Sequence, residues 1–247
     1  MSLYDFFRRH KNGGNGSSIQ DFPSLNKTRR QGSVDLGSLR MLEEKLAGKQ
    51  NGTWLSGSRT AQEEFSCALI EAAKECGLYI SKDDCKSLGV RKMLPSGESI
   101  ILENKAQGVV YKLRDPFAKF HLKSSNLNNI LYEHIVHNLL FPEVPYSLIG
   151  ISEDNGSVRI VLSQPFVFET MIPTQQQIDG HLFSLGLRTE NRYYYGNDHI
   201  AITDVDSTGD NVLLSSTGSL LFIDPIIKIK TNGKDAIEYL TTVGYKK

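Results

Sequence analysis

The stretch Asp204-Val205-Asp206-Ser207-Thr208-Gly209-Asp210-Asn211 sets three carboxylates and one carboxamide within eight residues. Such oxygens suit a hard divalent cation. Asp206 stands five residues ahead of Asn211, which runs directly into the β-forming Val212-Leu213-Leu214. A second apolar run, Leu220-Leu221-Phe222-Ile223, then ends on Asp224-Pro225. Turn formation explains part of this composition, since Asp-Ser-Thr-Gly-Asp-Asn is good loop chemistry. An EF-hand calcium loop does not fit, because the glycine and terminal glutamate positions are missing. Asp224 resists the turn explanation: a carboxylate closing an apolar strand needs a partner, and a metal would supply one.

Other chemistries find less support. Cys67, Cys76 and Cys85 show no C-x-x-C spacing and read as ordinary reduced thiols. His134 and His137, three apart on a helical stretch, read as surface or satisfied core residues rather than metal ligands. Tyr193-Tyr194-Tyr195-Gly196 reads as a strand before a turn rather than a stacking platform. No Ser-His-Asp or Cys-His arrangement has supporting context.

The chain has 247 residues, with 28 Lys+Arg against 28 Asp+Glu and six His. Zero net charge gives no general attraction to nucleic acid or to anionic lipid. The longest apolar runs are four residues, far short of the ~20 that span a bilayer. Met1 to Asn15 contain no apolar signal region. These features predict a cytoplasmic globular protein without membrane or general nucleic-acid partners.

Three regions position the acidic segment. Residues 1–37 are Gly-rich and polar and are expected to be a disordered or loosely ordered tail, with Leu3-Tyr4-Phe6-Phe7 able to form a short docking helix. Residues 38–94 are expected to form a helical extension. There Thr60 and Glu63 suggest a capping box, Phe65, Leu69, Ala72 and Ala73 form a stripe, and Gly77 is a stop. Met41, Leu42, Leu46 and Trp54 read as packing residues. From residue 95 the texture is strand-like. Ser99–Leu102 and Val109–Leu113 form a hairpin across Glu103–Gly108, and a helix carries Ile130, Leu131, Ile135, Val136, Leu139 and Leu140 up to Pro142. Strands are expected at Tyr146–Ile151, Val158–Leu162, Ile200–Ile202, Val212–Leu214 and Leu220–Ile223, with a short helix over Ile178–Leu187.

The Asp206-x-x-x-x-Asn211 spacing followed by a β pair and Asp224 resembles the catalytic and metal-binding segment of protein-kinase-like phosphotransferases. Upstream parts agree in order. Val109-Val110-Tyr111-Lys112 resembles the strand whose lysine neutralises nucleotide phosphates. Glu133 resembles the helical glutamate that pairs with that lysine, and Gln164-Pro165-Phe166 resembles the hinge that meets an adenine ring. With Leu131-Tyr132-Glu133-His134, Phe141-Pro142 and Pro145-Tyr146, the chain is most similar to the polyvalent-protein kinase domains of bacterial mobile elements.

The resemblance implies an α+β kinase-like fold with an antiparallel-sheet N-lobe over about 95–167 and a reduced C-lobe over about 168–247. It implies an ATP- and magnesium-dependent phosphotransferase acting on an unknown protein or small-molecule acceptor. In that reading Asp206 is the catalytic base; Lys112, Glu133, Gln164 and Phe166 bind nucleotide; Asn211 and Asp224 hold the metal. The chain departs from the pattern in several places. No G-x-G-x-x-G precedes Lys112, Asp204-Val205 replace His-Arg, Pro225-Ile226 replace Phe-Gly, and only 23 residues follow Asp224. These departures leave room for a catalytically silent nucleotide-binding or protein-interaction module.

Overall fold

A computed structural model describes residues 36–49, 59–92, 99–118, 129–154, 156–168, 170–191, 194–208 and 211–243. The expected tail up to residue 35, together with Trp54, Tyr193 and Asp210, lies outside them. The described chain opens with helices α1 (Leu36–Gly48), α2 (Arg59–Glu75) and α3 (Lys82–Ser87). Strands β1 (Val90–Lys92), β2 (Ser99–Asn104) and β3 (Val109–Arg114) lead into helix α4 (Asn129–Leu140). Then come β4 (Ser147–Asp154), β5 (Ser157–Pro165), α5 (Gln175–Ser184), β6 (Arg188–Asn191), β7 (Tyr194–Gly196) and β8 (Ile200–Thr203). The chain closes with β9 (Val212–Leu214), β10 (Leu220–Phe222), β11 (Ile226–Ile229) and α6 (Gly233–Thr242). This is an α+β chain.

All paired strands run antiparallel. The first sheet has the order β1-β2-β3-β5-β4, the second β11-β8-β7-β6, and β9 and β10 form a separate ribbon. Local chemistry sets the hairpins. Between β2 and β3, Gly108 adopts φ +64° and the Asn104 side-chain oxygen accepts from the Gln107 N–H at 3.2 Å. Alternation along β3 then sorts its side chains. Tyr111 and Leu113 enter a small cluster with Leu102 and Val161, whereas Lys112 and Arg114 share the opposite face.

Helix α2 buries the stripe expected of it, with Phe65, Leu69, Ala72 and Ala73 inaccessible to solvent. Gly77 ends that segment as a Schellman motif, in which the Leu78 N–H donates to the Ala73 carbonyl at 2.8 Å. Two local expectations are corrected. Thr60 is not a cap, because the helix already includes Arg59, which pairs with Glu63 one turn on. The helix expected over Ile178–Leu187 lies earlier, because Thr174 and Gln177 form the capping box that starts it. Leu42 and Leu46 pack as expected, but Met41 faces solvent at 42% exposure.

Helix α4 positions the site. It contacts α1, β11 and α6, and its side chains are buried on nearly every side. The enclosed side chains include Glu133, His134, His137 and Asn138. The principal core runs continuously from Leu39 of α1 to Leu240 of α6, so both ends of the described chain share it with the sheets. Among the described residues, no helix is long and apolar enough to cross a membrane.

Candidate functional site

Strand β3 faces the segment that joins β10 to β11. Lys112 and Arg114, two residues apart on one face, both reach Asp224. Lys112 Nζ lies 3.1 Å from Asp224 Oδ1, and Arg114 Nη2 donates to the same oxygen. Tyr146, just ahead of β4, adds its hydroxyl at 3.2 Å. Lys112 also donates to the Ile223 carbonyl at 2.6 Å, an oxygen that Tyr146 reaches at 2.9 Å. Asp224 thus has the partner that a carboxylate at the end of an apolar strand requires.

Tyr146 is itself fixed. Asn138 on α4 donates to the Tyr146 carbonyl and accepts from its N–H, both at 2.7 Å. Its ring lies 5.2 Å from Lys112 Nζ and 5.3 Å from the Arg114 guanidinium carbon, so it also offers a π face to both cations. His137, one turn before Phe141 on the same helix, is 2.9 Å from the Phe222 carbonyl through Nε2.

Burial decides which of these groups carry charge. It pulls Lys112 down to about 8, against the attraction of Asp224, so the ammonium remains charged at neutral pH. It pushes the Glu133 carboxyl up to about 8, against the pull of Arg114 and Lys228. It pulls His137 down to about 4, although the Phe222 carbonyl and Asn138 favour its charged form. At pH 7, therefore, Glu133 and His137 are neutral, and two buried cations face the single carboxylate of Asp224. A surplus positive charge in a buried site favours an anionic ligand.

Glu133 does not form the pair with Lys112 that the resemblance implies. No hydrogen bond or ion pair of Glu133 is formed among the described residues; instead it lines a cavity of about 10 Å³ with Arg114, His134, His137 and Tyr146. That space is sufficient for a single water. Lys112 has exchanged Glu133 for Asp224 because β3 directs it to the β10 end, where both a carboxylate and a peptide carbonyl accept from it.

The acidic loop is arranged by Asp204, whose φ of 62° lies in the left-handed region. Asn211 Nδ2 donates to the Asp204 carboxylate at 2.6 Å and to its carbonyl at 3.1 Å. That fixes the amide with its oxygen directed away from Asp204. Asp206 Oδ1 accepts from the Thr208 N–H at 3.1 Å and from the Thr208 hydroxyl at 2.5 Å. The Ile223 N–H donates to the Asn211 carbonyl at 2.8 Å, which sets Asn211 beside the Asp224 segment. The residues expected at a hinge are engaged with the protein: Gln164 Nε2 donates to the Val144 carbonyl at 2.8 Å, and the Phe166 N–H donates to the Gly108 carbonyl at 2.8 Å.

Among the described residues, no cluster of three or more His, Cys, Asp or Glu side chains is arranged to hold a metal. One carboxylate, on Asp224, and one amide oxygen, on Asn211, are hard donors of the kind that would suit magnesium. The model of a family described as Serine/Threonine/Tyrosine kinases found in polyvalent proteins matches residues 62–231, well over half of the chain. The chain belongs to this family of polyvalent-protein kinases. Comparison with curated proteins and with solved structures found no match.

The family match opens within α2 and closes between β11 and α6, so it spans both larger sheets and every residue around Asp224. Three members of that cluster, Arg114, Asn138 and Tyr146, were given no role from the sequence, although Pro145-Tyr146 is among the residues that carry the resemblance. Arg114 was readable only through the two-residue period of β3, which puts it on the face of Lys112. Tyr146 meets Lys112, and Asn138 meets Tyr146, through tertiary contacts alone, although a polar residue within the apolar helix Asn129–Leu140 is itself a signal.

Proposed function

We propose that this kinase-family chain is an ATP- and magnesium-dependent phosphotransferase. The observation that carries the proposal is the meeting of Lys112 with Asp224 and the Ile223 carbonyl across 111 residues of sequence. It joins a sheet that serves as a small N-lobe, over about 95–167, to a reduced C-lobe over about 168–247, with residues 38–94 as a helical extension.

Lys112 binds the nucleotide's phosphates, and its buried ammonium, freed from Asp224, is a strong charge-assisted donor. Asn211 and Asp224 would hold magnesium through hard oxygens. When bound, magnesium neutralises phosphate charge and orients the chain for in-line transfer. Glu133 borders the Lys112–Arg114 face and orients those cations once it ionises. Asp206 orients the acceptor hydroxyl and takes its proton; the two bonds from Thr208 hold its carboxylate in place. Gln164 and Phe166 form the hinge beside the base, where the Phe166 N–H would exchange its bond to Gly108 for one to the ring. The acceptor is a protein or a small molecule.

The test separates two aspartates. Asp224→Asn should abolish the magnesium-dependent part of nucleotide stabilisation, whereas Asp206→Asn should keep it and lose transfer from labelled ATP. A ligand at 100 times its dissociation constant stabilises by about 2.7 kcal/mol, a shift that thermal unfolding resolves. Stabilisation of the wild type without any transfer would make the chain a silent nucleotide-binding module. Absence of any magnesium-dependent shift would remove the kinase reading of this site.

A further inference from the structure

Arg114 has no ligand in the reading above, yet it donates to the Asp224 carboxylate. Its side chain is 11% exposed, and its Nε is buried with no hydrogen-bond partner. A guanidinium offers five donors in a rigid fork, so an orphaned Nε means that attraction to Asp224, not a full set of hydrogen bonds, holds Arg114 here. Lys112 and the Tyr146 hydroxyl share the same Asp224 oxygen. A magnesium ion approaching this carboxylate alone would meet two buried cations already on it. A nucleotide's phosphates carry the negative charge that both cations lack, and they arrive from outside the cluster.

We propose that Arg114 is a positioning residue that competes with magnesium for Asp224, so that the metal enters only together with a nucleotide's phosphates. This rests on the assignment of Lys112 to phosphate and Asp224 to metal. Arg114 holds Asp224 in place when the site is empty and yields it when phosphates draw positive charge away. The competition depends on charge and not on shape, which separates it from a packing role.

The test is calorimetric and thermal titration of magnesium, alone and with saturating ADP, into the wild type and into Arg114→Met and Arg114→Lys. The wild type is expected to respond to magnesium only when ADP is present. Arg114→Met should lower the magnesium concentration for half-maximal response by about tenfold or more, the loss of one close unit charge being worth at least that. It should also bind magnesium without ADP. Arg114→Lys keeps the charge and should stay near the wild type. Lys112 and Tyr146 remain on Asp224 in either variant, so the carboxylate is not left unpaired; if Arg114→Met does not fold, Arg114→Gln takes its place as the uncharged form. An unchanged or higher magnesium requirement in the uncharged variant, with a normal wild-type response, overturns the competition alone. A wild type that shows no magnesium response with ADP overturns the metal-and-phosphate assignment, and the competition with it.

Discussion

Lys112 Nζ donates to the Ile223 carbonyl at 2.6 Å, the peptide oxygen directly ahead of Asp224, and so ties strand β3 to the end of β10. The lysine therefore has a structural task as well as a proposed ligand. Lys112→Met should weaken nucleotide binding by about tenfold or more, since a charge-assisted bond to phosphate is lost. It should also lower ligand-free stability by about 1–3 kcal/mol, because the buried Ile223 carbonyl loses its charged partner. Thermal unfolding with and without nucleotide reads both effects. A large stability loss with unchanged affinity would leave Lys112 only the structural task.

Glu133 gives a pH signature. The folded protein keeps its proton to about pH 8, whereas the unfolded chain releases it near the ordinary value of 4.5. The stability contributed by Glu133 is therefore full below pH 4.5 and is lost as pH rises to about 8. Glu133→Gln does not titrate. The variant should match the wild type near pH 5 and exceed it in denaturant midpoint at pH 8. A variant weaker than the wild type at pH 8 would mean that Glu133 is ionised and paired in the ligand-free protein.

His137 runs the other way. Its folded value of about 4 lies below the ordinary 6.5, so its contribution is full above pH 6.5 and is lost as pH falls toward 4. Imidazole resonances followed through an acid titration should show His137 unmoved down to about pH 5, well below the ordinary range. A His137 midpoint near 6.5 would contradict its enclosure beside the Phe222 carbonyl.

Gly233 starts α6 against the ring of Tyr132 on α4. A side chain there would meet the Tyr132 ring, with Tyr132 Cβ only 2.6 Å from the added carbon. Gly233→Ala should cost about 1–3 kcal/mol by overpacking. The cost should shrink in a Tyr132→Ala background, which a double-mutant cycle by chemical denaturation would measure. Equal costs in both backgrounds would place the strain elsewhere.

Lys112 and Asp224, singled out in the sequence by type and position, are brought together by the fold, and Asn211 lies beside the Asp224 segment. The hairpins were legible because their turns need Gly and Asn at set positions, as Asn104 and Gly108 show. That Lys112 meets Asp224 and not Glu133 was not legible, because desolvation of α4 and the geometry of β3 decide it, and neither is local. Thr60 misled because a Ser or Thr three residues before Glu also occurs inside helices. The true box, Thr174-x-x-Gln177, stood in the sequence with an equal claim. After Asp224, the apolar alternation of Ile227 and Ile229 and the Asn232 cap ahead of Ala236 and Leu240 marked β11 and α6. β11 lies inside the family match and α6 beyond it, and neither carries a motif, so periodicity and a cap are their marks in the sequence.

Those last elements set the order in which the molecule can be completed. β11 and α6 close over α4, yet they follow every residue assigned to nucleotide and metal. As the chain emerges in synthesis, the β2–β3 and β4–β5 hairpins need only near neighbours and can zip early. The face of helix α4 that β11 and α6 cover stays wet until residues 226–242 arrive, even though α1 precedes it. A stop codon just past Asp224 would thus spare the whole set of candidate residues and still yield a product with an uncovered helix, prone to aggregation and early degradation.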